Sequence, residues 1–165
     1  MCSIQHQTWL LSQESDFIAF MEDPDSPSNG LPPPPPSPEE EWSGLDGSKH
    51  LHHLTDKNFD SFIAKHDSVL VMFYAPWCGH CKSMKADYAL AAKKMKESGI
   101  AGVLVTVDAT VNSGLQNRFE IRGFPTIRYF RNGQNLAAYE GKRKTDSLVA
   151  FMSKPPRSKD ELWFP

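Results

Sequence analysis

Two cysteines separated by two residues, Cys78 and Cys81, are the residues of this sequence best suited to chemistry. They follow an apolar run at residues 69–74 and precede a stretch rich in Lys, Ala and Met, so the pair lies where a strand passes into a helix. A helix N-terminus presents unpaired N–H groups and a positive dipole, which favour thiolate over thiol. We therefore predict a redox site in which Cys78 is the nucleophile, the more buried Cys81 resolves the mixed disulfide, and His80 adds positive charge.

Metal binding is a weaker interpretation of the two cysteines. A structural zinc site needs four ligands, and the sequence offers only Cys2 beyond the pair. The histidines at positions 50, 52 and 53 would be divided between the two faces of a strand. Cysteines that only fill a core would not need Gly79 and His80 between them. We expect no metal site, and we assign no role to Cys2, an odd thiol in a polar tail.

Charge and proline content divide the chain into a folded part and tails. Residues 49–154 carry nearly all of the apolar pattern, and at about 100 residues they can bury one core. They hold sixteen basic and nine acidic residues, whereas residues 1–48 hold nine acidic residues and no Lys or Arg. Eight of the thirteen prolines lie between Pro24 and Pro38. We predict a domain over residues 49–154, a disordered Pro/Glu-rich linker over residues 25–48, and the start of another linker over residues 155–165.

An internal repeat gives an interpretation of the N-terminal 24 residues. Residues 17–24 parallel residues 148–155, with Ala, Phe, Met and Pro at the same four positions. Each segment has the pattern of an amphipathic helix end that proline stops. We predict that residues 1–24 are the C-terminal helix remnant of a preceding domain and that the chain is a fragment of a tandem array. A chance match is the alternative.

The sequence argues against nucleic-acid and membrane functions. Many basic residues lie along one predicted helix, where a solvated face is the default, and basic and aromatic residues do not interleave. No apolar run approaches the roughly twenty residues that span a bilayer. The first eleven residues lack a basic segment and a long apolar stretch, so we predict no secretory signal.

The elements that would position the cysteines alternate between strand and helix. The predicted strands cover residues 51–54, 68–74, 103–107, 127–130 and 135–139, and the predicted helices cover residues 56–66, 78–96, 113–119 and 145–152. Thr55 is predicted to cap the first helix. The strand at residues 68–74 is the most apolar, so we place it in the centre of the sheet. The order βαβαβαββα puts helices on both faces of the sheet and predicts an α/β fold.

This order and three motifs resemble the thioredoxin fold, and the protein disulfide isomerase family in particular. Residues 73–82 (FYAPWCGHCK) are similar to the active-site signature of that family, and residues 107–110 and 122–126 are similar to two later landmarks. The resemblance implies a thioredoxin-like three-layer α/β/α sandwich with a central mixed sheet. It implies an enzyme that oxidises and isomerises disulfides, with the Cys78–Cys81 disulfide as its redox group and no further cofactor.

The resemblance also implies roles for residues near the cysteines. Pro125 matches a cis-proline that faces the two sulfurs and leaves the backbone of Phe124 free to pair with an extended substrate; the alternative is an ordinary trans proline that opens a strand. Arg122 matches an arginine that approaches the buried cysteine and lowers its pKa during turnover, although without the resemblance it would be a surface arginine. Trp77 would shield the sulfurs and contact unfolded chains, or it would serve only in packing.

Three positions depart from the family pattern. Met72 and Thr106 stand where many members carry a buried glutamate and its lysine partner. Because both charges are missing together, no orphan charge is left in the core. Proton transfer from Cys81 would then need water or another route. Ala86 stands where the family usually has a proline, so we expect a straighter active-site helix.

Compartment and partners also follow from the resemblance. A Cys-Gly-His-Cys pair belongs to oxidising relatives, at about −180 mV rather than the roughly −270 mV of thioredoxin, which suits the endoplasmic reticulum lumen. Residues 159–162 spell the KDEL retention signal, but three residues follow, so we predict that it is inactive and that the parent protein supplies the location. The partners would be unfolded or misoxidised proteins, glutathione or another thiol–disulfide couple, and neighbouring thioredoxin-like domains of the parent chain.

Two other functions fit the same residues. A chaperone-like module would bind unfolded chains through Trp77 and Phe124 with weak redox activity. A cytosolic thioredoxin-type reductase would use Cys78 and Cys81 in the opposite direction. The reduction potential of the pair distinguishes the reductase from the isomerase.

Overall fold

In the computed structural model, which describes residues 34–158 and Glu161, five strands form one mixed sheet. The strands are β1 (His52–His53), β2 (Ser68–Tyr74), β3 (Val103–Asp108), β4 (Thr126–Arg131) and β5 (Gln134–Ala138), and their order in the sheet is β1-β3-β2-β4-β5. Strand β2 pairs parallel with β3 and antiparallel with β4, and all seven of its residues are buried. The central position predicted for the most apolar strand is therefore confirmed.

Helices cover both faces of this sheet. The α-helices of the described part are α1 (Pro38–Trp42), α2 (Phe59–Lys65), α3 (Gly79–Glu97), α4 (Ser113–Arg118) and α5 (Thr145–Ser153), and a 3-10 helix covers Ser48–His50. Alternate residues of β2 enter two different cores, one shared with α1, α3 and α5 and the other with α2 and α4. This alternation follows from the two-residue period of a strand. The predicted α/β/α sandwich with a central mixed sheet is confirmed.

The order of elements within residues 51–153 is as predicted, but two details near the start are wrong. The first of the predicted helices corresponds to α2, which begins at Phe59, and Thr55 does not cap it. Asn58 holds the N-cap position instead, and its side-chain oxygen accepts a hydrogen bond from the amide of Thr55 at 2.7 Å. The first strand has only two residues because the 3-10 helix ends at His50 and Leu51 caps it. The stretch therefore offers too few extended residues for the four-residue strand predicted.

The prediction of a disordered linker up to residue 48 is wrong for its C-terminal part. Helix α1 begins with a capping box, in which the Glu40 amide donates to Ser37 Oγ at 3.3 Å and the Ser37 amide donates to the Glu40 carboxylate at 2.8 Å. At the end of α1, Trp42 is 0% exposed and packs edge-on against Tyr74 and Tyr88, with ring centroids 5.5 and 6.4 Å apart. Burial of one indole offsets the entropy lost when a short segment becomes ordered, which the proline-rich composition concealed.

Some predictions fall outside the described residues. They are the helix remnant over residues 1–24, the linker up to residue 33, and nearly all of the KDEL segment at residues 159–162. Within the part of the chain that the structure does describe, no helix combines the length and the apolar character needed to cross a bilayer.

Candidate active site

The two cysteines lie at the N-terminus of α3, just beyond the carboxyl end of the central strand. Cys78 is the N-cap residue of α3, and Cys81 lies in the first turn. The amide of Cys81 donates a hydrogen bond to Cys78 Sγ at 3.2 Å, and both thiols are free. Cys78 is 7% exposed and Cys81 is 0% exposed. A substrate sulfur can therefore approach Cys78 more readily than Cys81.

Burial sets the protonation of Cys81. Loss of solvent around the thiol, together with the neighbouring Cys78, raises the pKa of Cys81 to about 12. The backbone of Ala75 and the positive charge of Lys85 act in the opposite direction on that pKa. Cys81 is thus a thiol at neutral pH, and it has to lose its proton before it can attack a mixed disulfide.

Three further residues predicted for the site surround Cys78. The peptide bond between Phe124 and Pro125 is cis, which is the isomer that the resemblance implies. The Cys78 thiol donates to the carbonyl oxygen of Phe124 at 3.6 Å. Trp77 is 71% exposed, and its ring stands perpendicular to that of Phe124 with the centroids 5.9 Å apart. Cys78 thus has an exposed aromatic ring on one side and a backbone carbonyl on the other.

The structure does not bring the other two predicted residues into contact with a sulfur. His80 and Arg122 are both exposed. Across residues 34–158, neither residue takes part in a salt bridge. His80 precedes Cys81 in the first turn of α3, so its charge lies near the pair. The roles assigned to both residues stay predictions.

Four residues that the sequence did not single out form a cluster on the inner side of α3. Lys85, one turn after Cys81, makes an ion pair with the Oε1 atom of Glu41. The hydroxyl of Tyr74 donates to the Oε2 atom of Glu41 at 2.9 Å. The Lys85 ammonium lies 5.0 Å from the ring centroid of Trp42 and 5.3 Å from that of Tyr74. We refer to Glu41, Trp42, Tyr74 and Lys85 as the inner cluster. The signal that could have revealed it is a tryptophan beside acidic residues in an otherwise proline-rich segment.

The two positions that lack the family's charged pair do lie side by side. Met72 on β2 and Thr106 on β3 are partners in the parallel ladder, and both are buried. The side chain of Thr106 is hydrogen-bonded to His53 Nδ1, with 2.5 Å between the two atoms. Helix α3 runs over 19 residues and passes through Ala86 without a break. The buried charges near Cys81 therefore come from the inner cluster and not from the sheet.

The histidines at positions 50, 52 and 53 lie apart in the fold. His50 ends the 3-10 helix, whereas the ring of His52 packs against Phe62 with centroids 4.9 Å apart. Residues 34–158 contain no group of three or more His, Cys, Asp or Glu side chains arranged to hold a metal ion.

Comparison with known proteins places this geometry in a family. The thioredoxin family profile matches residues 50–154. This chain belongs to the thioredoxin family. Protein disulfide-isomerase A5 of Mus musculus is 41% identical to it over 155 residues, which cover 92% of this chain and 28% of that protein. Probable protein disulfide-isomerase A4 of Caenorhabditis elegans is 46% identical over 99 residues, or 60% of this chain and 15% of that protein.

A solved structure shows the same family likeness in three dimensions. The first thioredoxin domain of mouse protein disulfide-isomerase A4 is 33% identical, with a TM-score of 0.59, and the match covers 81% of this chain and 92% of that one. The predicted place of this thioredoxin-family chain among the protein disulfide isomerases is confirmed. The chain spans less than a third of the length of the curated relatives named here.

Proposed function

We propose that this chain oxidises and isomerises disulfides in folding proteins through the Cys78–Cys81 pair. The observation that carries the proposal is the contrast between the two thiols at the start of α3. Cys78 caps the helix beside an exposed tryptophan, and Cys81 lies fully buried one turn further on. One sulfur is therefore placed to exchange with a substrate, and the other is placed to close the ring.

Oxidation of a substrate proceeds in two exchanges. In the first, a substrate thiolate attacks Cys78 in the Cys78–Cys81 disulfide; the substrate–Cys78 bond forms, and Cys81 leaves as a thiolate that takes up a proton. In the second, another substrate thiolate attacks the substrate sulfur of the mixed disulfide, and Cys78 leaves as a thiolate. Two electrons pass from the substrate dithiol to the pair. No group other than the two sulfurs is needed to accept them.

Isomerisation begins from the reduced pair. The Cys78 thiolate attacks a non-native disulfide, and the released substrate thiolate attacks another substrate disulfide. The thiolate freed by that exchange attacks the substrate sulfur of the mixed disulfide, and Cys78 leaves as a thiolate. If the substrate does not rearrange, Cys81 loses its proton, attacks Cys78 and releases the substrate in reduced form. Cys81 therefore limits how long a substrate remains bound, and its ionisation sets the rate of that escape.

The surface around Cys78 suits an extended, unfolded substrate. The Phe124 carbonyl beside the sulfur can accept a backbone hydrogen bond from such a chain. Trp77 offers an apolar surface that tolerates many sequences. Arg122 lies in an exposed loop near this surface, where we propose that it assists ionisation of Cys81 during exchange. His80 is exposed in the first turn of α3, where we propose that it assists ionisation of Cys78.

The endoplasmic reticulum lumen is the compartment that we propose for this reaction. The Cys-Gly-His-Cys sequence and the names of the relatives support this assignment. Glutathione or a similar disulfide would reoxidise the pair, and neighbouring thioredoxin-like domains of a longer parent chain would act on the same substrates. The domain over residues 49–154 would then be one unit of that array.

A chaperone-like binding module is the second candidate, and the exposure of Trp77 favours it. Such a module would hold unfolded chains at Trp77 and Phe124 with little exchange at the sulfurs. Redox turnover and binding can be separated, because only turnover requires Cys78.

Reactivation of scrambled ribonuclease in a glutathione buffer tests the proposal on the full chain. We expect the wild-type chain to accelerate recovery of ribonuclease activity and the Cys78→Ser variant to act no faster than buffer alone. A Cys2→Ser variant controls for the third thiol and should match wild type. If Cys78→Ser retains the acceleration, or if wild type only prevents aggregation, the chaperone-like function replaces the redox one.

A further inference from the structure

Lys85 lies in an unusual environment for a lysine. Of the basic residues in the described part of the chain, it alone is buried, whereas the other lysines of α3 are more exposed. A buried ammonium is costly unless other groups compensate for the water it has lost. Exposed positions one residue away on the same helix, such as Ala86, would accept a lysine at no such cost. The buried charge stands one helical turn from the thiol that must ionise.

Compensation for this charge comes from α1, which precedes the 49–154 domain, and from the end of β2. Glu41 on α1 supplies the carboxylate, and Trp42 and Tyr74 present ring faces to the ammonium. Trp42 anchors α1 in the same core that contains Cys81. The segment that precedes the first strand therefore fixes where the positive charge of Lys85 lies.

We propose that Lys85, held in place by Glu41, stabilises the thiolate of Cys81 while a mixed disulfide at Cys78 is resolved. This inference rests on the proposed function. The Cys81 thiol gives its proton to solvent, and the thiolate attacks Cys78 Sγ. The Cys78–Cys81 bond forms, the bond from Cys78 to the substrate breaks, and the substrate sulfur leaves as a thiolate that takes up a proton. Lys85 neither gives nor takes a proton in this scheme and acts through its charge alone.

Glu41 is a positioning residue in this scheme and not the base that takes the proton. Its Oε1 atom is engaged by Lys85 and its Oε2 atom by the Tyr74 hydroxyl. Its effect on Cys81 therefore passes through Lys85.

Other titratable groups near the inner cluster do not supply a positive charge at neutral pH. The pKa of His53 on β1 is lowered, chiefly by burial, and this keeps the imidazole neutral. Burial raises the pKa of Tyr74 at the end of β2, which keeps its hydroxyl protonated. Negative charge lies near Tyr74 from Asp108 at the end of β3. Negative charge lies near His53 from Glu39 on α1. Cys78 itself disfavours the Cys81 thiolate; the backbone of Ala75 and the charge of Lys85 oppose it, and Lys85 is the one of these two that carries a charge.

The test follows the two chemical steps separately in the full chain. All variants carry Cys2→Ser, so that only Cys78 and Cys81 react with Ellman's reagent. The first thionitrobenzoate is released when Cys78 attacks the reagent, and the second is released when Cys81 displaces the adduct. Stopped-flow absorbance gives both rates from pH 6 to pH 11.

We expect Lys85→Met to slow the second release about threefold at pH 7 for each unit by which the pKa of Cys81 rises. A less acidic thiol forms less thiolate, but the thiolate that it forms is more nucleophilic. The two effects partly cancel, so the factor is about three. Because the pKa of Cys81 is raised to about 12, Cys81 remains mostly a thiol over the measured pH range in both proteins, so this factor should stay nearly constant, and Lys85→Arg is the variant that distinguishes a charge effect from a packing defect. Lys85→Arg keeps the charge and should recover most of the rate.

Lys93→Met is the matched control. Lys93 also lies on α3 and also pairs with an acidic residue of the preceding segment, Asp46, at 2.9 Å. This pair is more exposed, and Lys93 lies about two turns further from the cysteines than Lys85 does. The substitution removes the same charge from the same helix. We expect both release rates to remain at the wild-type values.

Glu41→Gln tests the positioning role. It should slow the second release in the same direction as Lys85→Met, and the double variant should be no slower than Lys85→Met alone. Independent, multiplying effects of the two substitutions would show that Glu41 does not act through Lys85. Because this variant keeps Lys85, it also provides a test if Lys85→Met does not fold.

Two results would overturn the inference. Either the second release in Lys85→Met matches that in Lys93→Met, or it is slower and a folded Lys85→Arg variant does not restore it. The proposed function fails in a different way: the wild-type chain then shows no second release at all. A wild-type chain that releases both equivalents, with no specific effect of Lys85, keeps the function and removes only the inference.

Discussion

The active site has an outer half and an inner half that are built in different ways. The outer half consists of Trp77, Cys78 and Phe124, which come from two short motifs; Trp77 is exposed, whereas Cys78 is only 7% exposed. The inner half consists of Cys81 and the inner cluster, in which α1 contributes residues more than thirty positions before the cysteines in sequence. In the function and the inference proposed above, the outer half presents a sulfur to the substrate, and the inner half controls the protonation of the second sulfur.

This difference shows that exposure and burial serve separate chemical steps. A sulfur that exchanges with many proteins has to be reachable, and its surroundings can tolerate variation. A thiol that attacks only inside the protein can be buried, but burial raises its pKa and makes its ionisation harder. A buried positive charge near that thiol partly offsets the effect.

Removal of either sulfur should have the largest effect on exchange, and the effect should differ between the two halves. Cys78→Ser abolishes exchange because the reachable nucleophile is gone. Cys81→Ser leaves Cys78 able to attack but unable to release the substrate by ring closure, so mixed disulfides accumulate. Mass spectrometry of acid-quenched mixtures with a disulfide-bonded substrate measures the adduct. Accumulation of the adduct on Cys81 in the Cys78→Ser variant, at the rate seen for Cys78, would reverse the two assignments.

The two tryptophans give a second contrast between the halves. Trp42→Ala should lower the free energy of unfolding by about 3–5 kcal/mol, because a fully buried indole leaves a cavity against Tyr74 and Tyr88. Trp77→Ala should change it by less than about 0.5 kcal/mol, because that ring is 71% exposed. Denaturant titration by circular dichroism measures both values. Equal losses would mean that α1 does not dock as described.

Alkaline pH should destabilise the reduced protein through the inner half. The unfolded thiol of Cys81 ionises near pH 8.5 and the folded one near 12, so between these values the unfolded state binds fewer protons. Stability from this thiol is complete below pH 8.5 and falls as the pH rises, by at most about 1.4 kcal/mol per unit. Burial raises the pKa values of Tyr74 and Tyr88, which adds a loss of the same sign above pH 10.

The contribution of the thiol is isolated by comparison with Cys81→Ala. The wild-type protein and this variant are both kept reduced, and each is titrated with denaturant at pH 8, 9 and 10 to measure its free energy of unfolding. The wild-type free energy of unfolding should fall more steeply than that of the variant. Parallel curves would show that burial does not hold Cys81 in the protonated form.

Two ion pairs between the preceding segment and α3 give the smallest effects. Glu41→Gln should cost about 2 kcal/mol, because the Lys85 charge loses its partner in a mostly buried position. Asp46→Asn should cost less than about 0.5 kcal/mol, because the pair with Lys93 is largely exposed. The same denaturant titration measures both values. Equal costs would mean that solvent reaches both pairs alike.

The outer half and the sheet could be predicted from the sequence because their signals are local. The apolar run at residues 68–74, the Cys-x-x-Cys spacing and the motif at residues 122–126 each carry the pattern of one element or one turn. The predicted strand at residues 68–74 matches β2 at both ends. The short first strand and the start of α2 differed because side-chain hydrogen bonds decide those ends within a few residues.

The inner cluster, unlike Cys81, could not be predicted because its contacts are long-range. Glu41 lies among prolines and acidic residues, a composition typical of solvated linkers, and nothing adjacent in sequence marks its partner. Lys85 belongs to a helix with several lysines, and only the packing of Trp42 distinguishes it from the others. Tertiary packing determines which lysine is buried and paired, and no local periodicity in the sequence indicates it.

The reduction potential of the Cys78–Cys81 pair, measured on the full chain in glutathione buffers, tests the central claim most directly. A pair that oxidises and isomerises substrates should equilibrate near the roughly −180 mV of protein disulfide isomerase. A value near the roughly −270 mV of thioredoxin would contradict the account, because the chain would then act as a reductase.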